Sequence, residues 1–215
     1  GGGASIYNNY ISKNGGGITI GGPCSPSVHD NTIEYNSGSG ICIADGTPII
    51  RNNNIIKNRE GIHLYSRANP MILNNTIASN NDTGVTVRDH SSGTIQGNII
   101  AENREGVGIS ENSNPTIQGN DISHNTETGI RASDSNPTIE HNNITSNSAD
   151  GINFNESDNA TIKGNNITAN AGIGIALFQS DAFVTGNTIK FNKVSGIWGE
   201  WSSPTITGNN ISSNH

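Results

Sequence analysis

The stretch GNNITAN at residues 164–170 decides the fold, because variants of it recur along the whole chain. The variants keep Asn in the second and seventh places and Ile in the fourth, as in GNTIKFN (186–192), GNNISSN (208–214), HNNITSN (141–147), GNDISHN (119–125), NNTIASN (74–80) and DNTIEYN (30–36). The first Asn returns every 22 or 23 residues, at Asn9, Asn31, Asn53, Asn75, Asn98, Asn120, Asn142, Asn165, Asn187 and Asn209. A fixed period of this size is typical of a solenoid.

Other columns of residues follow the same period. A second Asn column runs through Asn14, Asn36, Asn58, Asn80, Asn103, Asn125, Asn147, Asn170, Asn192 and Asn214. Between the two lies an Ile column, from Ile11 to Ile211, and a further apolar column precedes the first Asn by three residues. A Gly then opens a segment of alternating apolar and polar residues, such as GITI, GICI and GIHL, which is the pattern of a short strand.

Each repeat therefore contains three very short strands, and one coil cannot bury its own apolar side. Stacking equivalent coils about 4.8 Å apart pairs each strand with its copies above and below. We predict an all-β fold for residues 1–215: a single parallel β-helix domain of about ten coils of 22–23 residues, with three short parallel sheets. Stacked Asn amides can donate and accept along the axis, so we expect internal Asn and Ile ladders.

The residue before the first Asn ladder predicts a left-handed backbone kink in every coil. Its types are Asn, Asp, Gly and His, which tolerate positive φ. They are Asn8, Asp30, Asn52, Asn74, Gly97, Gly119, His141, Gly164, Gly186 and Gly208.

Composition excludes some partners. The net charge is −7, whereas a nucleic-acid backbone requires clustered Lys and Arg, so we expect no nucleic acid. No run of eighteen apolar residues is present, so we expect no direct membrane insertion. The sequence starts at Gly1 without Met, and we expect either a segment of a longer protein or a rod that assembles end to end. Cys24 and Cys42 could pair, but a count of two does not decide it.

The pattern PTIxxNxIxxNxxxGIxI, which extends over essentially the whole chain, resembles a known repeat. It is similar to the repeat of NosD-type and related carbohydrate-binding and sugar-hydrolase (CASH) domains in the pectate-lyase-like superfamily. The resemblance implies a right-handed parallel β-helix. It does not imply one activity, because such proteins include lyases, epimerases, hydrolases, periplasmic accessory proteins and surface proteins. The location that we expect is extracellular, at the cell surface or periplasmic.

One outward column carries successive acids, Asp89, Glu111, Asp134 and Glu156. Stacked carboxylates repel unless they are solvated, protonated or bridged by a cation, and Ca²⁺ favours hard oxygen ligands. One interpretation is a Ca²⁺-binding edge, and the other is a solvated turn. The sequence requires no cofactor and suggests only this Ca²⁺.

A second group, His63, Tyr65, Arg88 and Asp89, is expected to face outward on adjacent coils. Lyases and epimerases of uronates need a base to remove the proton beside a carboxyl group and a cation to stabilise the enolate. His or Tyr with Arg can supply both. The alternative is that these four are ordinary surface residues without a catalytic role.

A third group is aromatic and lies near the end of the sequence. Phe178, Trp198 and Trp201 should face outward on neighbouring coils, with Glu200 between the two Trp residues. Aromatic faces bind sugar rings and protein partners, so this group predicts a glycan or partner site. The alternative is local packing.

Two hypotheses for function follow. The repeat spacing varies by only one residue and leaves no long loops to wall a cleft, which favours a non-catalytic extracellular β-helix that presents a surface. Such a rod would bind polysaccharide or Ca²⁺, or copies of itself end to end. The alternative is a carbohydrate-active enzyme: a polysaccharide lyase, epimerase or hydrolase.

Overall fold

The structure, a computed structural model, describes residues 3–215 as a stack of parallel strands in three sheets. The first sheet has ten strands: Ser5–Tyr7, Ser27–His29, Ile49–Arg51, Met71–Leu73, Thr94–Gln96, Thr116–Gln118, Thr138–Glu140, Thr161–Lys163, Phe183–Thr185 and Thr205–Thr207. The second also has ten: Tyr10–Ser12, Thr32–Glu34, Asn54–Ile56, Thr76–Ala78, Ile99–Ala101, Asp121–Ser123, Asn143–Thr145, Asn166–Thr168, Thr188–Lys190 and Asn210–Ser212. The third has nine: Ile18–Cys24, Ser39–Gly46, Glu60–Tyr65, Thr83–Val87, Glu105–Ile109, Ile130–Ser133, Ile152–Asn155, Ile175–Phe178 and Ile197–Glu200.

The strands stack in the register that the repeat predicts. Ile72, for example, pairs with Ile50 in the preceding coil and with Ile95 in the next. These side chains are buried in one continuous apolar core that runs along the axis. The predicted right-handed parallel β-helix with three sheets is confirmed. Every regular element of residues 3–215 is a strand, and this part of the chain has no helix suited to crossing a membrane.

The Asn columns form the predicted ladders inside the coil. Asn75 Oδ1 accepts hydrogen bonds from the backbone nitrogen and the Nδ2 of Asn53, at 2.9 and 3.0 Å. The Nδ2 of Asn53 also donates to the Val28 carbonyl at 3.0 Å. The same pattern recurs in both ladders, so each amide satisfies backbone groups that the turns leave unpaired. Throughout the described part of the chain, every buried side-chain nitrogen and oxygen has a partner.

The backbone is left-handed at three positions in most coils, where the sequence predicted one. The predicted kink is confirmed in all ten coils, for example with φ of 53° at Asn74 and 66° at Gly97. A second left-handed column lies between the second and third sheets and includes Tyr35, and a third follows the third sheet and includes Asp89. These columns hold varied residue types, and for this reason no sequence pattern predicted them.

The Gly that opens each third-sheet strand is required by close packing between coils. A Cβ on Gly61 would lie 2.5 Å from the Ile77 Cγ2, and one on Gly106 would lie 2.7 Å from the Ile122 Cγ2. Real Cβ atoms do not come this close, so the side chain must be absent at this position. The two cysteines, Cys24 and Cys42, are free thiols.

Candidate functional site

The outward side of the third sheet carries most of the predicted site residues. Side chains alternate along a strand, so Ile62 and Leu64 are buried whereas His63 and Tyr65 reach the surface. In the register, His63 lies between Cys42 and Thr86 of the neighbouring coils. Residues that are distant in sequence are thereby aligned in straight rows along the axis.

A shallow pocket of about 480 Å³ opens over this sheet. Its lining is polar, with three arginines and two acids. The lining residues are Gly38, Ser39, Arg59, Glu60, His63, Asp82, Thr83, Thr86, Arg88 and Arg104. Arg104 is paired with Asp82 and Glu127, at 2.7 and 3.2 Å, and the other two arginines suit an anionic ligand.

Inside the pocket, three charged or titratable side chains form a chain of hydrogen bonds. Arg88 Nε donates to His63 Nε2 at 2.8 Å, and His63 Nδ1 lies 2.9 Å from Glu60 Oε2. Because a guanidinium can only donate, Nε2 must be an acceptor and the ring proton must lie on Nδ1. Glu60 therefore holds a neutral imidazole in one tautomer and orientation.

Glu60 keeps its negative charge although it is largely buried. Burial by itself would raise the pKa of this carboxyl group, but hydrogen bonds from His63, Thr86 and Ser39 outweigh it and the pKa is lowered. Ser39 Oγ lies 3.0 Å from Oε2, and Thr86 Oγ1 donates to Oε1. The carboxylate is thus a fixed anion behind His63.

The four residues that the sequence grouped together, His63, Tyr65, Arg88 and Asp89, do not all lie together in the structure. The rings of Tyr65 and His63 meet edge to face, with centroids 5.6 Å apart. Asp89 instead lies in a separate depression, where its Oδ2 accepts from the backbone nitrogen of Ser66 at 3.1 Å. The hydrogen bond from His90, and those from Ser66, lower the pKa of Asp89. His63 therefore contacts both Tyr65 and Arg88, whereas Asp89 lies apart, and the functional role of the group stays a prediction.

Sequence reasoning missed Glu60. Glu60 precedes the repeat Gly, whereas the outward columns that the sequence predicted begin after that Gly. The spacing in EGIH, with Glu60 three residues before His63, was the available signal.

A second carboxylate occupies the same place in the repeat two coils later. Glu105 is buried, and it accepts from Arg131 Nε at 2.6 Å. Burial raises the pKa of Glu105, and the opposing effect of Arg131 does not cancel it.

The acidic column follows the third sheet on its left-handed turn residues. Glu111, Asp134 and Glu156 are exposed, and Asp134 Oδ2 accepts from Asn112 Nδ2 at 3.2 Å. Within residues 3–215, no three or more His, Cys, Asp or Glu side chains are grouped so that they could hold a metal ion. The Ca²⁺ edge stays a prediction.

The aromatic group is also on the third sheet. The rings of Phe178 and Trp201 lie 5.1 Å apart at an angle of 55°. Trp198 pairs in register with Ala176, and Glu200 pairs with Phe178. Trp198 and Glu200 are exposed, as expected.

Comparison with protein families gives two matches. The model described as "Periplasmic copper-binding protein (NosD)" matches residues 49–182, which is more than half of the chain. The model described as "Right handed beta helix region" matches residues 1–77. A comparison with curated proteins gave no match.

Several solved structures share the fold. The periplasmic alginate epimerase AlgG is 21% identical, with a TM-score of 0.75 over 84% of this chain and 48% of that chain. The GH87 alpha-1,3-glucanase of Streptomyces thermodiastaticus is 15% identical, with a TM-score of 0.79 over 97% of this chain and 50% of that chain. An alginate lyase of Paenibacillus is 16% identical, with a TM-score of 0.67 over 96% of this chain and 92% of that chain. The chain spans about half the length of the epimerase and glucanase chains.

The residues around the pocket do not fit a copper centre. Copper in proteins is held by imidazole, thiolate and thioether groups. Cys42 neighbours His63, but burial and then the charge of Glu60 raise the pKa of its thiol, which disfavours the thiolate form. The single methionine, Met71, lies on the first sheet. In the described ranges no third His, Cys, Asp or Glu joins a possible metal site.

The family match and the architecture agree. The model match covers most of the coils, and the three parallel sheets continue through them without a break. The chain belongs to the NosD family of right-handed parallel β-helix proteins.

Proposed function

We propose that this chain acts on an anionic polysaccharide, a uronan, and removes the proton beside a sugar carboxyl group. The observation that carries the proposal is the line of Glu60, His63 and Arg88 in a pocket with two further arginines. An imidazole oriented by a fixed carboxylate is a suitable general base at neutral pH. The alginate epimerase and alginate lyase that share the fold lend support to this substrate class.

Arg88 has two partners in this mechanism. Without substrate its Nε–H covers the lone pair of His63 Nε2. A uronate carboxylate is a better partner for a guanidinium than a neutral imidazole is, because it can accept two parallel hydrogen bonds. Arg88 is exposed and turns to the substrate, which frees Nε2 as the base.

The proton on the carbon beside the carboxyl group then passes to His63 Nε2. The electron pair delocalises into the carboxyl group as an enolate that Arg88 stabilises, and Glu60 stabilises the new imidazolium. In an elimination, this electron pair forms a carbon–carbon double bond as the bond to the glycosidic oxygen breaks, and Tyr65 gives that oxygen a proton. In an epimerisation, Tyr65 returns a proton to the opposite side of the same carbon.

A second candidate function is glycan binding without turnover. It is favoured by the openness of the site, since the turns are short and no loop closes over His63. In that case Arg59 and Arg88 hold carboxylates, since Arg104 is paired with Asp82 and Glu127, and His63 only shapes the pocket. For either function the periplasm or the cell exterior is our proposed location, as the names of the family and the epimerase suggest.

The test is deuterium exchange at the reacting carbon. Alginate and polygalacturonate are incubated with the protein in deuterated water and followed by NMR, while ultraviolet absorbance detects an unsaturated product. We expect exchange with the wild-type chain and its loss in His63→Ala and in Arg88→Ala. Phe183→Ala, which removes an exposed ring from the first sheet, is the matched control and keeps the activity. Binding with neither exchange nor an unsaturated product would overturn catalysis and leave the second candidate.

A further inference from the structure

Three aromatic side chains lie on the last two coils of the third sheet and on the turn that follows it, well away from the pocket. Trp201 is 74% exposed and Trp198 is 39% exposed, and the ring of Phe178 packs against Trp201. Aromatic rings that cluster at an open surface indicate a contact surface for a ligand. Trp198 continues the outward row of Ala176 and not the core row of Leu177, which Gly199 continues, so its ring does not belong to the core.

A single row of outward residues joins the pocket to these rings. In the register, His63 is followed in successive coils by Thr86, Gly108, Arg131, Asn153, Ala176 and Trp198. Six steps of about 4.8 Å place Trp198 roughly 29 Å from His63 along the axis.

The surface between the two ends forms an open floor. Four of the five residues between His63 and Trp198 in this row are small or short and polar, and the parallel row carries Ser133 and Asn155. Arg131 is the exception and projects a cation from the middle of the row, where its side chain is half exposed. A straight floor with one repeat per coil suits an extended polymer better than a folded partner.

We infer that Phe178, Trp198 and Trp201 form a second binding platform for the same polysaccharide chain whose reacting unit lies at His63. This inference rests on the proposed function, and it requires a substrate chain long enough to reach from His63 to the aromatic residues. Sugar rings stack their C–H faces on the aromatic rings, and Glu200, between the two Trp residues, accepts hydrogen bonds from hydroxyl groups. Arg131 meets a carboxylate between the two ends.

The platform is tested by the dependence of affinity on chain length. Binding of polymeric alginate and of an alginate trisaccharide is measured by calorimetry, because a trisaccharide is too short to span both ends. In the double variant Trp198→Ala and Trp201→Ala, we expect the ratio of polymer to trisaccharide affinity to fall about tenfold, a usual effect of truncating an aromatic anchor. Phe183→Ala is the control and leaves the ratio unchanged.

A thermal melt verifies that the double variant is folded. If it is not, Trp201→Ala alone is used, since that side chain is mostly exposed, and the same fall in the ratio is expected at smaller size. An unchanged ratio in a folded variant overturns the platform.

Deuterium exchange by the wild type separates this result from the proposed catalysis. A fall in the ratio with neither exchange nor an unsaturated product keeps the platform and removes the catalytic step. Exchange with an unchanged ratio keeps the catalytic step and removes the platform.

Discussion

Glu60 and Glu105 occupy the same place in the repeat, two coils apart, and yet their charges are controlled in opposite ways. Both precede the Gly that opens a third-sheet strand, and both carboxyl groups are largely buried. Side chains of His63, Thr86 and Ser39 hydrogen-bond to Glu60, and its pKa is lowered. Among the residues that the structure describes, Arg131 alone gives Glu105 a side-chain hydrogen bond, and the pKa of Glu105 is raised.

The difference shows how side chains give equivalent positions of a repeated backbone different electrostatic properties. Burial raises the pKa of both carboxyl groups, but the hydrogen bonds around Glu60 outweigh it and the interaction of Glu105 with Arg131 does not. Glu60 can hold His63 because three donors stabilise it. The residue three positions after Glu105 is Gly108, which has no imidazole. The coil of Glu105 therefore has no pair equivalent to Glu60 and His63.

The largest effect is expected from Glu60→Gln. The amide cannot serve as an anion behind His63, so we expect turnover of the uronan to fall by about 10- to 100-fold, as for other residues that orient a functional histidine. The matched variant Glu105→Gln should keep the wild-type turnover number. Nitrogen NMR of the imidazole is the second readout, because loss of the anion at Nδ1 should move the ring nitrogen signals of His63 only in Glu60→Gln. Equal turnover in the two variants would contradict the comparison.

The next effect concerns the backbone that the two coils share. Gly61→Ala and Gly106→Ala should each destabilise the fold by about 1–3 kcal/mol, since the added methyl group overpacks the core. Gly21→Ala is the control, because its Cβ would meet nothing within 4 Å. Denaturant unfolding measures the change. A marked difference between Gly61→Ala and Gly106→Ala would show that the two backbones are not equivalent.

A smaller effect is expected in the dependence of stability on pH. The folded-state pKa of Glu60 lies below its unfolded value, so its contribution is present above that unfolded value and is lost as pH falls through the folded pKa. For Glu105 the folded pKa is the higher one, so the contribution is present at low pH and lost as pH rises through that pKa.

At neutral pH, Glu105→Gln should therefore stabilise the protein by about 1 kcal/mol or less, and Glu60→Gln should destabilise it. Thermal unfolding at pH 7 and near pH 4 tests both signs, and the two differences from wild type should shrink at the lower pH. Destabilisation by Glu105→Gln at pH 7 would refute the assignment.

The smallest effect is expected from Gly108→His, which places an imidazole three residues after Glu105, as His63 follows Glu60. A Cβ at Gly108 would lie 3.1 Å from Glu105 Oε2, which is the movable end of a side chain, so we expect the variant to fold. The pKa of Glu105 should move downward, as measured by carbon NMR titration. An unmoved titration would mean that the spacing alone does not create the interaction.

The sequence predicted the fold well because its repeat states the register directly. Asn75 had to stack on Asn53 and Asn98, since any other pairing would leave buried amides without partners. The site was predicted only in part. His63 and Arg88 were expected on adjacent coils, but the donors around Glu60 come from three coils, and their distances depend on rotamers that no sequence pattern encodes. Asp89, which the prediction grouped with them, lies in a separate depression, because it sits on a left-handed turn whose direction the residue type does not reveal.

The even stacking of the coils has a consequence for how this molecule could change over time. Each coil contacts only the coils on either side of it, so gain or loss of one whole repeat would be absorbed without remodelling the others. The distance between His63 and Trp198 is therefore a whole number of coil spacings. Duplication of a single coil between them would lengthen it by one spacing and leave the side chains at both ends unchanged.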